Sequence, residues 1–570
     1  MQKSFLWNLF LAGALAAPQA VTSTASAAGS VCTGNTAADR SVWCDYDIQT
    51  DWYTEVPDTG VTVELLIVIQ YWFDVQNVTV SPDGIERMAL AVNGSIPGPT
   101  IEANWGDTVV VHVTNSMENN GTGIHWHGIR QNNTNWMDGV PSITQCPIAP
   151  GESMTYTWRA TQYGSSWYHS HFSLQAWVGV FGPMVIHGPA SGNYDEDMGP
   201  VVLSDWSHQT ADELYSYAQT SGPPTLDNGL INGLNVYNNS GTITGSRWET
   251  SVTSGSSYRM RLVNTAIDTH YKFMIDNHTL TVIAMDFVPI EPYTTNMLDI
   301  NMGQRYDVVV TADQDAQDYW IRAIPQLSCS SNDATDNIRG ILRYDSTSTS
   351  DPTTTAYDYT DECVDEPYAS LVPAMAQNPT DLTSNDATDM PVTVGVLSGL
   401  FKWYISSNTM AVQWEEPTNL MAANGQTNWT DDDCIVELPD ANVWAYFVIE
   451  TAQGVPHPFH LHGHDFWILA SGTGTYSDSV TLNTANPPRR DVATLPASGY
   501  VVIAFYTDNP GSWLMHCHIG WHTSEGLAVQ FLERASEISG VIDSSAMTDT
   551  CTAWESYAVA KNVIEEDSGV

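Results

Sequence analysis

Four short histidine-rich motifs constrain the folding of this 570-residue chain more than any other feature. They are HWHG at 125–128, HSH at 169–171, HPFHLHGH at 457–464 and HCHIGWH at 516–522. Alternate residues of a β-strand point to the same face, so each His-x-His pair offers two imidazoles to one metal ion or to two neighbouring ions. A single His-x-His pair is more often two ordinary surface or core histidines than two metal ligands. Four pairs in one chain predict metal ions held between segments that lie far apart in the sequence.

Cys517 narrows the choice of metal. The histidines alone do not identify it, because imidazole suits copper, zinc and iron. In the run His516-Cys517-His518 the two histidines face one way, so the cysteine must face the other way, toward a second, separate metal. A thiolate with two imidazoles and a weak or absent axial ligand is the ligand set of blue-copper electron-transfer sites. His457 and His522 are the candidates for the two imidazoles.

The sequence between these motifs predicts an all-β fold. Short runs rich in Val, Ile, Tyr and Trp, bounded by Gly, Pro, Asn and Asp, recur from about residue 60 to residue 535, and long helical patterns are scarce. A similar strand motif occurs three times, as TVVVHVTN after Gly106-Asp107, SYRMRLVN after Gly255-Ser256 and NVWAYFVIE after Asp440-Ala441. The repeat predicts three related β-sandwich domains.

The domain boundaries follow from turn-rich and polar stretches. We expect the three domains at 60–190, 191–350 and 367–545, with a Ser/Thr/Asp-rich linker at 351–366. An N-terminal segment, 28–59, and a C-terminal tail, 546–570, complete the chain.

The charge balance excludes two classes of partner. The chain has 65 acidic and 18 basic residues, a formal net charge of −47, which repels phosphate backbones and anionic lipid surfaces. We therefore expect neither nucleic acid nor a membrane as a partner.

The N-terminus predicts export. Lys3, an apolar run from Phe5 to Ala17 and small residues in A-x-A order resemble a secretory signal peptide, residues 1–27, with cleavage after residue 16 as an alternative. The apolar run is too short to span a bilayer. Glycosylation in the secretory route is predicted by seven N-x-S/T sequons, at Asn77, Asn93, Asn120, Asn132, Asn238, Asn277 and Asn428. We expect a secreted, extracellular glycoprotein.

The four motifs resemble the copper-binding motifs of the multicopper oxidases, and the resemblance spans nearly the whole mature chain. It implies three consecutive cupredoxin-like Greek-key β-sandwich domains and four copper ions: one type 1, one type 2 and a type 3 pair. The type 1 ligands implied by the resemblance are His457, Cys517 and His522. The type 2 ligands are His125 and His460. The type 3 ligands are His127, His169, His171, His462, His516 and His518. The trinuclear site is expected where the first and third domains meet, and the second domain supplies no ligands.

Three further positions follow from the resemblance: two match the multicopper oxidase family, and the third, Asp205, matches laccases of the ascomycete type. The axial position of the type 1 copper is Leu527, which cannot coordinate and should raise the redox potential; it also fits an ordinary core leucine. Asp138 matches an acid that passes protons toward oxygen, although Asp-Gly also forms turns. Asp205 matches an acid beside the substrate-side histidine, here His522, although it also fits an ordinary loop carboxylate.

The resemblance extends to the C-terminus and has implications for the cysteines. The last four residues, Asp567 to Val570, resemble a processed tail that folds back into a channel toward the trinuclear site, although frayed termini are common. The implied disulfides are Cys32–Cys44, Cys146–Cys551 and Cys329–Cys363, which suit an exported protein. Cys434 is left over, and we expect a buried free thiol.

The remaining histidines are expected to be structural or to lie at the surface: His112, His187, His208, His270, His278 and His464. His464 is a special case, because ideal alternation would place it on the ligand face with His460 and His462. Gly463 is predicted to turn the chain there, which leaves His464 and Asp465 behind the metal ligands.

The resemblance implies a laccase, expected to be monomeric. A phenol docked near His522 would give single electrons to the type 1 copper, with Asp205 taking its proton, and O₂ would be reduced to water at the trinuclear site. Phenols from lignin, pigment or plant-defence chemistry all fit.

A ferroxidase is the alternative, but Gly520 stands where the ferroxidase motif often has Glu. Ascorbate and bilirubin oxidases usually have Met at the axial position. A non-catalytic blue-copper carrier has no use for the other eight histidines.

Overall fold

The computed structural model describes residues 34–59, 68–380, 388–564 and 567–570. The predicted signal peptide, residues 1–27, lies outside these ranges, and so does Cys32. A small hairpin opens the described part, with strands β1 (Val42–Trp43) and β2 (Tyr46–Asp47).

The first region contains strands β3 (Val68–Val80), β4 (Arg87–Val92), β5 (Ile101–Asn104), β6 (Thr108–Asn115), β7 (Ile124–Trp126), β8 (Ser153–Arg159), β9 (Gly164–Ser170) and β10 (Phe181–His187). They form two four-stranded sheets, in the orders β4-β3-β6-β8 and β5-β10-β9-β7. Phe73 of the first sheet packs against Tyr168 of the second, with ring centroids 4.7 Å apart. The two sheets therefore enclose a core between them, as in a sandwich.

The second region contains β11 (Glu196–Trp206), β12 (Asn228–Ile231), β13 (Val236–Asn239), β14 (Thr242–Gly245), β15 (Glu249–Ser251), β16 (Ser257–Asn264), β17 (Tyr271–Ile275), β18 (Leu280–Met285), β19 (Val288–Thr295), β20 (Leu298–Ile300), β21 (Arg305–Thr311), β22 (Tyr319–Pro325) and β23 (Arg339–Arg343). Its main sheets have the orders β12-β11-β16-β21-β18-β19 and β15-β23-β22-β17-β20, and β13 pairs with β14 in a hairpin.

The third region contains β24 (Thr388–Leu397), β25 (Leu400–Ile405), β26 (Ile435–Leu438), β27 (Trp444–Thr451), β28 (His457–Leu461), β29 (Phe466–Thr473), β30 (Arg489–Arg490), β31 (Val492–Leu495), β32 (Gly499–Tyr506), β33 (Gly511–Cys517) and β34 (Ala528–Glu533). The sheet orders are β25-β24-β27-β32-β29-β30 and β26-β34-β33-β28-β31. Phe447 of one sheet packs against Phe531 of the other, at 4.6 Å between ring centroids.

The repeated strand motif occupies the same place in all three regions. It forms β6, β16 and β27, and each of these strands lies between a parallel neighbour (β3, β11 or β24) and an antiparallel neighbour (β8, β21 or β32). This equivalence confirms the prediction of three related two-sheet units.

In the described residues, six α-helices connect or flank the sheets: α1 (Gln175–Val178), α2 (Ala211–Ser221), α3 (Thr418–Ala423), α4 (Gly520–Ser524), α5 (Ala535–Ile538) and α6 (Ser544–Lys561). Helix α2 begins with a capping box between Thr210 and Glu213. In the part of the chain that the structure describes, no helix combines the length and apolar character that crossing a membrane requires.

Two of the predicted disulfides are confirmed, Cys146–Cys551 and Cys329–Cys363. Cys434 is buried and outside any disulfide, as predicted. The predicted Cys32–Cys44 bridge cannot be described, because Cys32 lies outside the described residues. The Cys146–Cys551 bridge ties helix α6 to the first region across 405 residues of sequence.

Replacing both Cys146 and Cys551 with serine should lower the free energy of unfolding by about 2–4 kcal/mol, because the bridge restricts a very long loop in the unfolded chain. The midpoint of thermal unfolding measures this change. Cys434→Ser is the matched control, since it removes a thiol without breaking a bridge. An unchanged midpoint in the double variant would show that packing alone holds α6.

Candidate metal centre

Eight of the predicted ligands come together in the interior, and strand pairing explains how. Within the first region His125 of β7 lies directly opposite His169 of β9. Within the third region His460 of β28 lies directly opposite His516 of β33. Each pair of strands therefore presents histidines from two motifs side by side, and the two regions face each other with these surfaces.

The eight imidazoles form overlapping groups whose ring nitrogens lie within 4.8 Å of one another. The groups are His127, His169 and His518; His171, His462 and His516; and His125, His127 and His460. Each group combines both regions, and among the described residues none of the possible metal groups includes a residue of the second region.

The nitrogens that point into this cluster have no hydrogen-bond partner among the described residues. These buried atoms are Nε2 of His125, His169, His171, His460, His462 and His516, Nδ1 of His127, and both ring nitrogens of His518. A buried polar atom without a partner costs roughly 1–3 kcal/mol, so this many in one place is typical of a metal-binding site. Metal ions held by these nitrogens would satisfy them.

The protonation of the cluster also suits a metal. Burial, reinforced by the neighbouring imidazoles, lowers the pKa of His127, His171 and His518 well below the usual range. Burial acts on His462 and His516 in the same way. Neutral imidazoles keep the lone pair that a metal needs.

Asp138 orients two of the rings from behind. Nδ1 of His462 donates to the Asp138 carboxylate at 2.8 Å. Nδ1 of His125 lies 3.0 Å from the Asp138 carbonyl oxygen and 3.1 Å from its carboxylate. A carboxylate on the outer nitrogen fixes the tautomer and the direction of a ligating imidazole.

Asp491 has the equivalent position on the other side of the cluster, and sequence reasoning missed it. Its carboxylate lies 3.2 Å from Nε2 of His127, and its carbonyl oxygen accepts from Nδ1 of His460 at 2.9 Å. Arg305 of the second region binds the same carboxylate at 2.6 Å. Although burial acts in the opposite direction, Arg305 holds the pKa of Asp491 at about 2. The pair of arginines before it, in RRD at 489–491, is the only signal in the sequence.

A second group lies on the opposite face of β33. Sγ of Cys517 is 3.7 Å from Nδ1 of His457 and 3.6 Å from Nδ1 of His522, and all three side chains are buried. Alternation predicts this arrangement, because the neighbours His516 and His518 point into the eight-histidine cluster.

Charge favours a cation at this second group. Burial raises the pKa of the Cys517 thiol and lowers the pKa of His457 to about 3. A thiol in such surroundings ionises only beside a positive charge, and a metal ion supplies one. Leu527, the predicted axial residue, is fully buried, and its carbonyl oxygen accepts from the Cys517 amide at 3.1 Å.

A cavity of about 250 Å³ lies beside this group. Its lining includes His522, Asp268, Trp403, Val394 and Val455. The ring of Trp403 packs on both imidazoles, with centroids 4.7 Å from His457 and 4.3 Å from His522. The cavity therefore gives a small molecule access to the edge of the cysteine site.

The carboxylate in this cavity belongs to Asp268, another residue that sequence reasoning missed. Asp205 lies behind it, where its two carboxylate oxygens accept from the backbone N–H groups of Ile267 at 3.0 Å, Asp268 at 3.0 Å and Thr269 at 3.1 Å. Burial, with a smaller effect of Asp205, raises the pKa of Asp268 well above its usual value. Asp268 lies in the loop after the repeated strand SYRMRLVN, and this position is the signal by which the sequence could have identified it.

The C-terminal tail reaches the histidine cluster. Val570 is buried and lines a narrow internal space together with His171 and His516. The carbonyl oxygen of Ser568 accepts from the Val412 amide at 3.0 Å, and that of Gly569 accepts from the Ser142 hydroxyl at 2.6 Å. These bonds hold the tail within the fold.

His464 turns away from the cluster. Gly463 has φ +68°, and a Cβ there would lie 2.2 Å from the Trp513 ring, so glycine is required. After this turn His464 pairs with the buried Glu533 at 3.2 Å. The other predicted non-ligands also lie outside the metal groups of the described residues: His112, His187, His208, His270 and His278.

Comparison with known proteins places these features in a family. Three segments, 74–191, 197–347 and 403–537, match profiles described as multicopper oxidase. The chain is 48% identical to Laccase-2 of Botryotinia fuckeliana over 94% of this chain and 93% of that protein.

Solved structures of multicopper oxidases are also similar to this chain. A laccase from Botrytis aclada has a TM-score of 0.90 and 45% identity, covering 94% of this chain and all of the other. Fet3p, a multicopper oxidase that functions in iron import, has a TM-score of 0.76 and 26% identity, covering 88% of this chain and 96% of the other. With three cupredoxin-like domains and histidine motifs joined through a single cysteine, the chain belongs to the multicopper oxidase family.

Proposed function

We propose that this chain is a laccase, an oxidoreductase that takes single electrons from phenolic donors and reduces O₂ to water. The observation that carries the proposal is the run His516-Cys517-His518 on β33. It links a thiolate site beside an open cavity to the buried cluster of eight histidines through a few covalent bonds. The relatives named laccase support the same function.

Four copper ions fit the ligand sets. His457, Cys517 and His522 would hold the type 1 ion, and Leu527, whose side chain has no atom that can coordinate, would leave the ion with these three protein ligands. His125 and His460 would hold the type 2 ion. The type 3 pair would be held by His127, His169 and His518 on one side and by His171, His462 and His516 on the other. When bound, the copper ions supply one-electron oxidation of the donor and four-electron reduction of O₂.

The protein controls the donor's proton. A phenol has a pKa near 10, so it is a poor electron donor until a base accepts its proton. Asp268 lines the same cavity as His522 and is the base that can reach a bound phenol. Asp205, the acid predicted from the sequence, would act through Asp268, because it holds the backbone of residues 267–269 in place.

Acidic residues also serve the oxygen site. The Asp138 carboxylate contacts the rings of His125 and His462, and these contacts support a role for it at the oxygen site. We propose that Asp138 holds these rings and supplies protons for the formation of water. Asp491, neutralised by Arg305, would hold His127 and His460 without a net charge.

Oxidation of Fe(II) is the alternative within the family. A hard cation such as Fe(II) calls for several oxygen ligands at the donor site. Asp268 is the one carboxylate among the described residues that line the cavity, and most of the others are apolar or aromatic. The lining therefore favours an aromatic donor.

We further propose that the protein is secreted and glycosylated and that it acts as a monomer.

Cys517→Ser should abolish the intense blue absorption, because that band requires a copper–thiolate bond, and should reduce phenol oxidation to background. Absorption spectra and copper content of the purified holoenzyme measure this. Cys434→Ser, which removes a buried thiol elsewhere, should remain blue and active. A Cys517→Ser protein that stays blue would refute the type 1 assignment.

Asp268→Asn should lower kcat/KM for phenols by about 100-fold, the contribution expected of a positioned base. Because the pKa of Asp268 is raised, it accepts a proton only above that pKa, so phenol turnover should rise with pH through this value. The rise should be absent in Asp268→Asn. A non-phenolic donor that loses no proton should show neither effect.

Asp205→Asn is the comparison for this experiment. It removes a neighbouring charge that raises the pKa of Asp268, so the rise with pH should persist at a lower pH. If Asp268→Asn keeps the wild-type pH profile while Asp205→Asn loses its rise, the base is Asp205 and our assignment is wrong.

Deleting residues 567–570 should slow oxygen reduction while the blue absorption remains, because Val570 lies at the histidine cluster and not at Cys517. Oxygen uptake at saturating phenol measures the change. Ile564→Ser, an exposed position near the tail, should be neutral. Full turnover by the truncated enzyme would show that the tail has no part in the oxygen site.

A further inference from the structure

The donor cavity is walled on one side by the hairpin β24–β25. Val394 of β24 and Trp403 of β25 both line the cavity, and they lie directly opposite each other in the antiparallel pairing. Opposite residues of a pair share one face of the sheet. The hairpin therefore presents one defined face to the donor.

This face continues beyond the cavity as an exposed apolar strip. The next residue of β24 on the same face is Val396, about 7 Å further along the strand. Its partner in the register is Phe401. The side chain of Val396 is 65% exposed, that of Val394 is 36% exposed, and Phe401 is half-buried. Isolated surface valines are common, but this strip is continuous with the wall of the cavity.

The charge around the cavity indicates what the strip can bind. Among the described residues that line the cavity, Asp268 and His522 are the only ionisable side chains, and neither Lys nor Arg occurs. The whole chain carries a net charge of −47. An anionic substituent on the donor would find no counter-charge, whereas an uncharged ring could bury itself against Val394, Val396 and Phe401.

We propose that the face of β24–β25 formed by Val394, Val396 and Phe401 is a second donor subsite, which binds an uncharged aromatic ring attached to the reacting phenol. The inference rests on the proposed laccase function and adds a substrate class to it: neutral phenols with two rings. Contacts remote from the reacting ring strengthen binding of the larger donor, so the effect falls on KM.

The test compares two donors with the same reacting ring, para-benzylsyringol and para-methylsyringol, on the copper-loaded enzyme. Val396→Ser should lower kcat/KM for the benzyl compound about fivefold, through KM, since it removes apolar surface from the subsite. It should leave the methyl compound unchanged. Leu397→Ser is the matched control, because Leu397 is 52% exposed on the opposite face of the same hairpin. It should change neither donor.

A binding measurement separates the subsite from the chemistry. The methyl ether of para-benzylsyringol has no phenolic proton, and its Kd should rise about fivefold in Val396→Ser and not in Leu397→Ser. Equal benzyl-to-methyl ratios in wild type and Val396→Ser, or the same loss in Leu397→Ser, would overturn the subsite. Failure of the wild type to oxidise para-methylsyringol would instead overturn the proposed function, and the subsite would fall with it.

Discussion

The structure depends on eight imidazoles that are buried against one another with their inward nitrogens unpaired. Burial lowers the pKa of seven of these rings: His127, His169, His171, His460, His462, His516 and His518. Among the described residues no group pairs with the inward nitrogens, and metal ions held at the junction of the first and third regions would satisfy them. The strand registers that place His125 opposite His169 and His460 opposite His516 bring the rings together at this junction. We expect folding and copper binding to be coupled at this junction.

Carboxylates connect this junction to the rest of the molecule. Asp138 holds rings from the first and third regions, and Asp491 does so with Arg305 of the second region bound behind it. Among its described residues the second region contributes to none of the candidate metal groups, but its Arg305 binds the carboxylate that contacts His127 and His460. It also supplies Asp268 to the donor cavity.

Much of this arrangement could be predicted from the sequence, because it follows from local geometry. The alternation of a strand predicts that His516 and His518 face away from Cys517, and the repeated strand predicts three equivalent units. Asp268 and Asp491 could not be predicted in this way, since their roles arise from contacts between segments far apart in the chain. The role of Asp205 as a base stays a prediction, and the three backbone N–H groups that donate to its carboxylate could not be predicted from the sequence. The roles of the ligands and acids stay predictions.

The balance between donor oxidised and oxygen consumed tests the central claim most directly. A laccase with a type 1 site and a trinuclear site oxidises four phenol molecules per O₂ and releases no hydrogen peroxide. Oxygen uptake, measured with phenol depletion and a peroxide assay on the copper-loaded protein, gives this ratio. Two phenols oxidised per O₂ with stoichiometric release of peroxide would contradict the account. So would a protein that oxidises Fe(II) but oxidises no phenol.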